Sequence, residues 1–323
     1  MKLLVTGGAG YIGGHTVHSL VRQGHQVVVC DDLSSGRPEI VPQGVELVVG
    51  SVVDSEALDR AFSHGVDGVI HFAGFKHAGV SVEKPLHTYR ENVLGMVVLL
   101  EAMDRHGVDT IVFSSSSAVY GDVDAPVIFE AAPKNPASPY GESKLIGEWL
   151  LRDQSISRGI RHCSLRYFNV VGSGVPGIYD TSPYSLMSMV FGALARGETP
   201  RVFGTDYPTP DGTCIRDYID VQALADAHVV VAEKLLGGQS LAPAYNLGSG
   251  TGSSVAEVMA EVARVTGVDF VPQADPRRPG DPMKVVASGD LAARDLGWSM
   301  TQPLSAMVES AWREYSAAHG VSF

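Results

Sequence analysis

At 323 residues the chain is long enough for one large core and a second, smaller lobe. Its 36 acidic residues outnumber 24 basic ones, for a net charge of -12 without any lysine/arginine block, which argues against a nucleic-acid partner. Cys30, Cys163 and Cys214 are far apart and form no C-x-x-C spacing, so neither a disulfide framework nor a zinc site is expected and a reducing, cytoplasmic setting fits. The histidines form no H-E-x-x-H pattern and no metal is predicted. The apolar start Met1–Val5 is too short for a signal-peptide core, and no stretch nears the roughly 20 apolar residues of a membrane span.

In chain order, short apolar runs alternate with longer amphipathic stretches: a strand at 2–6, a helix at 11–23, a strand at 27–31, a helix at 55–63, a strand at 69–72, a helix at 89–106 and a strand at 110–114. Runs such as Val27-Val28-Val29 and Ile111-Val112-Phe113 suit strands buried on both faces. The alternation predicts an α/β fold, a Rossmann-type doubly wound parallel sheet. A helix over 139–157 and a strand over 161–167 follow. Composition then turns rich in Gly, Pro, Ser and Tyr between Gly172 and Pro183, marking a smaller, interleaved C-terminal substrate lobe. The expected division is a cofactor domain of 1–171 plus about 214–236, and a substrate lobe of 172–213 and 237–323. Segments 205–212, 248–254 and 272–282 read as loops.

Gly7-Gly8-Ala9-Gly10-Tyr11-Ile12-Gly13 follows the first strand and opens the first helix. Glycines at this spacing permit a tight turn, a close approach of backbone to a pyrophosphate and tight helix–sheet packing, while the helix N-terminus offers free amides and a favourable dipole. The second strand ends at Asp31, where an acid suits ribose hydroxyls and repels a 2'-phosphate, so NAD is favoured over NADP.

Tyr140-Gly141-Glu142-Ser143-Lys144 places a phenol and an ammonium four residues apart on one helical face. A neighbouring ammonium stabilises a phenolate and brings the tyrosine into range as a base. The strand ending in Phe113 runs into Ser114-Ser115-Ser116-Ser117, hydroxyls at the carboxyl end of a central strand, where such sheets place ligands.

With those motifs the chain resembles the extended short-chain dehydrogenase/reductase family, and within it the UDP-glucose (UDP-galactose) 4-epimerases, over nearly its whole length. Further carriers of the resemblance are Ile70-His71-Phe72-Ala73-Gly74, Val119-Tyr120-Gly121, Leu165-Arg166-Tyr167-Phe168-Asn169, Arg216-Asp217-Tyr218, Tyr245-Asn246-Leu247-Gly248 and Arg278-x-Gly280-Asp281. The resemblance implies transient oxidation of the sugar at C4 with tightly bound NAD. Tyr140 would move the 4-hydroxyl proton, Ser116 would bond the reacting oxygen, and Lys144 would bond the nicotinamide ribose and depress the tyrosine. Implied cofactor contacts are Gly7, Gly10, Tyr11, Ile12, Gly13 and Asp31. Along the next strands they are Ser51, Phe72, Ala73, Gly74, Lys76 and Asn92, then Ser114, Tyr140, Lys144 and Tyr167. Implied substrate contacts are Lys76, Ser116, Tyr140, Asn169, Ser185 and Leu186. Further along they are Val202, Phe203, Arg216, Tyr218, Arg278, Asp281 and Val285, two arginines being apt for a diphosphate. Apolar stripes around 96–106 and 144–155 correspond to the family's homodimer interface; ordinary packing on the sheet would produce the same stripes.

Departures from the family pattern fall mostly on the sugar side. Ser117-Ala118 replaces Ala-Thr, Ser51 replaces an acid that bonds adenine, Tyr184-Ser185 replaces paired asparagines, and Val80 replaces an acid. Val285 aligns with the position that sets pocket size, and its small side chain would admit UDP-GlcNAc/UDP-GalNAc beside UDP-glucose/UDP-galactose. Alternative readings are a UDP-glucuronate 4-epimerase or a C3/C5 epimerase. Less favoured are a 4,6-dehydratase, whose Asp-Glu pair is Ser117-Ala118 here, and a non-catalytic NAD-binding sensor.

Overall fold

The computed structural model describes residues 1–123, 125–278 and 281–322. Gly280, quoted above, lies outside them. Through the first half run β1 (Lys2–Thr6), α1 (Tyr11–Arg22), β2 (Gln26–Asp31), β3 (Glu46–Val49), α2 (Ser55–Phe62), β4 (Gly68–His71), α3 (Ala78–Glu83), α4 (Pro85–Tyr89), α5 (Gly95–His106), β5 (Thr110–Ser114), α6 (Pro139–Arg158) and β6 (Arg161–Tyr167). After these come β7 (Asn169–Val171), α7 (Leu186–Ala195), β8 (Arg201–Phe203), β9 (Ile215–Arg216), β10 (Tyr218–Asp220), α8 (Val221–Leu236) and β11 (Ala244–Leu247). The chain ends with β12 (Ser253–Ser254), α9 (Val255–Thr266), β13 (Gln273–Asp275), β14 (Lys284–Val285), α10 (Asp290–Leu296) and α11 (Leu304–His319).

Seven strands form the central sheet in the order β11-β6-β5-β4-β1-β2-β3, every pairing parallel. The expected fold class is therefore borne out. Leu4, Val5, Ile70 and Val112 are fully buried in it, each apolar side chain contributing roughly 1.5–3 kcal/mol. The order reverses at β1/β4, and the carboxyl ends of β1, β4 and β5 face a common crevice.

Three expectations change. The predicted helix over 89–106 is interrupted: a π-helical turn at Arg90–Leu94 separates α4 from α5. Its apolar spacing is that of a helix, but the wider turn re-aims Asn92 inward. The strand β11, placed by the sequence division in the substrate lobe, instead pairs with β6 and extends the central sheet, because Tyr245 and Leu247 are buried there. The segments read as loops also hold short strands: β12 pairs with β9, and β13 with β8. The second lobe is built from these small sheets and from α7, α9 and α11, around a core of Met187, Phe191, Val258, Val262 and Val308.

Candidate active site

α1 begins directly after Gly10, and no side chain caps it. Its first-turn amides thus face the loop Gly7–Gly10 without competition. A Cβ on Gly13 would lie 2.1 Å from the Gly7 carbonyl oxygen, and one on Gly7, whose φ is +72°, would lie 2.7 Å from the Ala73 nitrogen. Loop, helix and the end of β4 are therefore packed to backbone distance. Asp31 is buried, its carboxylate accepting from the amides of Ala9 (3.0 Å) and Leu33 (2.9 Å). Burial raises this acid above its usual range against the pull of those two bonds. Uncapped helix, glycine cradle and acid together fit a dinucleotide.

Around this cradle, Tyr11 and Ile12 are half-buried, the Tyr11 hydroxyl donating to the Gly172 carbonyl at 2.6 Å. Phe72 and Ala73 both donate their amides to the Thr6 carbonyl, and the Phe72 ring lies 4.6 Å from that of His228. Ser51 uses its hydroxyl on the Val53 amide at 3.3 Å. Asn92 is committed on three sides: Oδ1 accepts from the Phe75 amide (2.6 Å), and Nδ2 donates to the Phe75 carbonyl (2.9 Å) and to Ser143 Oγ (2.8 Å). It holds the loop containing Gly74 and the exposed Lys76 against α6.

α6 is a helix with both ends specified. Ser138 caps it by accepting from the Gly141 amide, Pro139 occupies the first turn, and Gly159 ends it in the left-handed conformation at φ 74°. This cap fixes Tyr140 and Lys144 beside the end of β5. Lys144 is buried and donates to the Ser114 carbonyl at 2.8 Å, its nitrogen 4.9 Å from the centre of the Phe113 ring and 5.8 Å from that of Tyr140. Burial pushes the lysine down to about 8. His71, buried on the neighbouring strand, is driven down to about 3 by burial and by the Lys144 charge, so no second cation sits beside the amine. Burial raises Tyr140 above the usual phenol range, and a hydrogen bond with the Ser116 side chain works the other way. The Lys144 ammonium is turned to Ser114 in this arrangement, and desolvation dominates at the tyrosine.

The serine run divides its labour. Ser114 shares a 2.6 Å hydrogen bond with the Tyr167 hydroxyl, and Ser116 stands at the start of a short 3-10 turn and accepts from the Ala118 amide at 3.1 Å. Ser115 points the other way and donates to Glu148 Oε1 at 2.6 Å. Glu148 in turn accepts two bonds from Arg166, whose side chain is 6% exposed, and Arg166 reaches Tyr120, which donates to Asn246. This buried network ties α6, β5, β6 and β11 together behind the serines. Sequence reading missed Glu148, which nothing local distinguishes from a surface charge; Arg166 stood in a quoted motif, but its partner was not visible.

On the opposite wall, β14 pairs with β9 so that Val285 lies beside Arg216. Arg216 bonds Asp281, and the Arg278 guanidinium sits 4.0 Å over the Phe203 ring. Asn169 donates both its amide and its side-chain nitrogen to the Asp217 carbonyl. The Asp217 carboxylate is fully buried and accepts from the amides of Ser249 and Ala287, so one residue joins β9, β14 and the turn after β11. Its place between Arg216 and Tyr218 was visible in sequence; its inward direction was not. Ser185 caps α7 and Leu186 opens that helix. Strand alternation turns the Val202 side chain into the lobe core, opposite Phe203. Tyr218 is buried in the same core.

The profile of the NAD dependent epimerase/dehydratase family matches residues 3–248. The chain belongs to that family. Within it, the chain is 46% identical to a UDP-glucose 4-epimerase of Azospirillum brasilense over 92% of this chain and 86% of the relative. It resembles a solved UDP-glucose 4-epimerase at TM-score 0.94 and 39% identity, covering 100% and 99% of the two chains. A further solved relative is the UDP-glucose-4-epimerase of Stenotrophomonas maltophila, crystallised with NAD and formylated UDP-arabinopyranose (TM-score 0.93, 36% identity, 99% of each chain covered). The family expected from the sequence motifs is borne out.

Proposed function

We propose that this protein is a UDP-hexose 4-epimerase that works by transient oxidation at C4, and that Ser116, Tyr140 and Lys144 carry the chemistry. The observation that carries the reading is their convergence at the end of β5, on the same parallel sheet whose first strand leads into the uncapped N-terminus of α1. NAD, when bound, takes up and returns the C4 hydride. Tyr140 accepts and later returns the proton of the sugar 4-hydroxyl, Ser116 bonds the same oxygen, and Lys144 supplies the positive charge that favours phenolate. The phenol is raised by burial, so the proton transfer depends on Lys144 turning toward the tyrosine once the site is filled.

Gly7, Gly10, Gly13 and Asp31 hold the dinucleotide, with Tyr11, Ile12, Ser51, Phe72, Ala73, Gly74, Asn92, Ser114 and Tyr167 around it. Arg216 and Arg278 hold the diphosphate, aided by Asn169, Ser185, Leu186, Phe203, Asp281 and Lys76. The cofactor domain is then residues 1–171 with about 214–236 and the added strand 244–247; the remainder carries the nucleotide sugar. Elimination of water is not supported, because Ser117 and Ala118 offer no acid/base pair. Val285 is a small side chain paired beside Arg216, and its size supports turnover of UDP-GlcNAc as well as UDP-glucose.

A homodimer fits the surface of α5 and α6. Trp149 and Ile156, seven residues apart on one face of α6, are 47% and 80% exposed, and Leu94 is exposed at the start of α5. Among the described residues no helix is long and apolar enough to cross a membrane, and a cytoplasmic location accords with three buried, unpaired cysteines.

Incubation with UDP-glucose, UDP-GlcNAc and UDP-glucuronate, followed by NMR of the C4 configuration, tests the reading. Tyr140→Phe is expected to lower kcat by about 10²–10⁴-fold. Unchanged turnover in that variant overturns the mechanism, and inversion at another carbon overturns the activity.

A further inference from the structure

Four aromatic rings touch in succession: His87 of α4, Phe75, His77 and Tyr184. Successive centroids are 5.0, 5.4 and 4.8 Å apart, every pair edge to face. Phe75 and His77 belong to the loop leaving β4, whereas Tyr184 belongs to the stretch entering α7. The line therefore crosses from the half built on the central sheet to the second lobe.

One side is anchored to the reacting centre and the other is braced on α7. Asn92 grips the amide and carbonyl of Phe75 and reaches Ser143 on α6. α3 starts immediately after His77, and its Ser81 hydroxyl accepts from the Tyr140 amide at 3.1 Å. Across the gap, the Tyr184 amide donates to Ser182 Oγ, Ser182 donates its amide to Asp180, and the next residue, Ser185, caps α7. Tyr184 is 59% exposed, so its ring is not sunk in its own lobe; it is held out against His77. Burial, with Lys76 adjacent, holds His77 below the usual histidine range against the pull of Asp180, which keeps the imidazole a neutral ring partner.

Such a contact answers a need specific to oxidation and re-reduction at one carbon. Once C4 is a ketone, the hydride resides on the cofactor and the hydroxyl proton on Tyr140. The sugar must then present its other face while only its nucleotide end is gripped. Escape of the UDP-4-keto-hexose leaves the enzyme with reduced cofactor and nothing to return the hydride to. A ring-to-ring contact across the gap can close the exit by shape, without gripping one sugar face through a charged pair.

We propose that His77 and Tyr184 form an aromatic clasp between the lobes that retains the 4-keto sugar during its turn. The proposal rests on the epimerase reading above.

The test uses the holoenzyme with UDP-glucose, following epimer formation and the absorbance of reduced nicotinamide in the same progress curve. Tyr184→Ala and His77→Ala are each expected to keep the initial rate but to gather reduced cofactor, and to inactivate per turnover, about five- to tenfold faster than the parent. Tyr184→Phe keeps the ring and is expected to match the parent, and the double alanine variant to be no worse than either single one. Should Tyr184→Ala fail to fold, His77→Ala removes the same contact from the other lobe and decides alone. Parental retention in the folded alanine variants overturns the clasp, as does loss of retention in Tyr184→Phe equal to that of alanine. A parent that inverts no UDP-sugar at C4 overturns the activity itself, a result separate from either.

Discussion

The half built on the central sheet and the second lobe hold their candidate sites by different means. In the first, the cradle is packed by backbone: Gly7, Gly13 and Ala73 approach within distances that leave no room for an added side chain on either glycine, on a seven-stranded sheet whose inner strands are almost wholly buried. In the second, two- and three-stranded sheets carry side chains that partner one another. Arg216 pairs with Asp281, Arg277 with Asp206 and the Tyr207 ring, and Arg278 with Phe203. A backbone site tolerates almost no substitution, whereas a side-chain site can change its ligand by exchanging residues. On the proposed reading, catalysis would be fixed in the first half and specificity free to drift in the second.

Replacing Gly13 by alanine attacks the rigid half most directly. The added Cβ meets a backbone oxygen 2.1 Å away, which cannot rotate aside, so the loop must shift off the helix N-terminus. Losing one or two charge-assisted bonds of about 1.5–3 kcal/mol each should weaken NAD binding by about 100-fold or more. Titration calorimetry on cofactor-stripped protein measures it, and near-parental affinity would show that the cradle is softer than its geometry.

Glu148→Ala probes the same half through stability instead of binding. Arg166 would be left charged and buried with its carboxylate removed, a loss of about 3–5 kcal/mol by denaturant unfolding. Because Ser115 also loses its acceptor, the serine turn should loosen and kcat should fall alongside.

These two sites also mark where sequence was informative. The glycine cradle and the tyrosine–lysine pair each lie within a single strand–turn–helix or a single helical turn, so their spacing is their geometry. The Ser115–Glu148–Arg166–Tyr120–Asn246 network draws on separate elements, and no local pattern assigns Ser115 to it while Ser116 faces Tyr140. The π-helical turn at Arg90–Leu94 hides for a related reason: one extra residue in a turn leaves apolar spacing almost unaltered yet decides where Asn92 points. β11 escaped the domain division because four residues of strand in a loop-rich stretch gain their meaning only by pairing with β6.

Arg216→Lys brings the comparison to the adaptable lobe. The shorter reach and single donor head of lysine should cost one charge-assisted bond to the diphosphate, raising KM about 10–100-fold with kcat nearly unchanged. A comparable fall in kcat would place Arg216 in the chemistry and blur the division between halves.

Ser51→Asp carries the smallest expected effect and tests whether the rigid half is as fixed as its backbone suggests. Ser51 accepts from the Val53 amide through its hydroxyl, and aspartate can accept the same bond, so the turn after β3 should survive the exchange. What changes is a second carboxylate oxygen toward the adenine end of the dinucleotide, a charged acceptor in place of a neutral one. The difference between such bonds is about 0.5–1.5 kcal/mol, or roughly 3- to 10-fold in affinity. More NAD should then remain with the protein through purification. Unaltered retention would mean that adenine is held elsewhere, and that a side-chain position in the half built on the central sheet, unlike its backbone cradle, has been free to drift in the way the second lobe has.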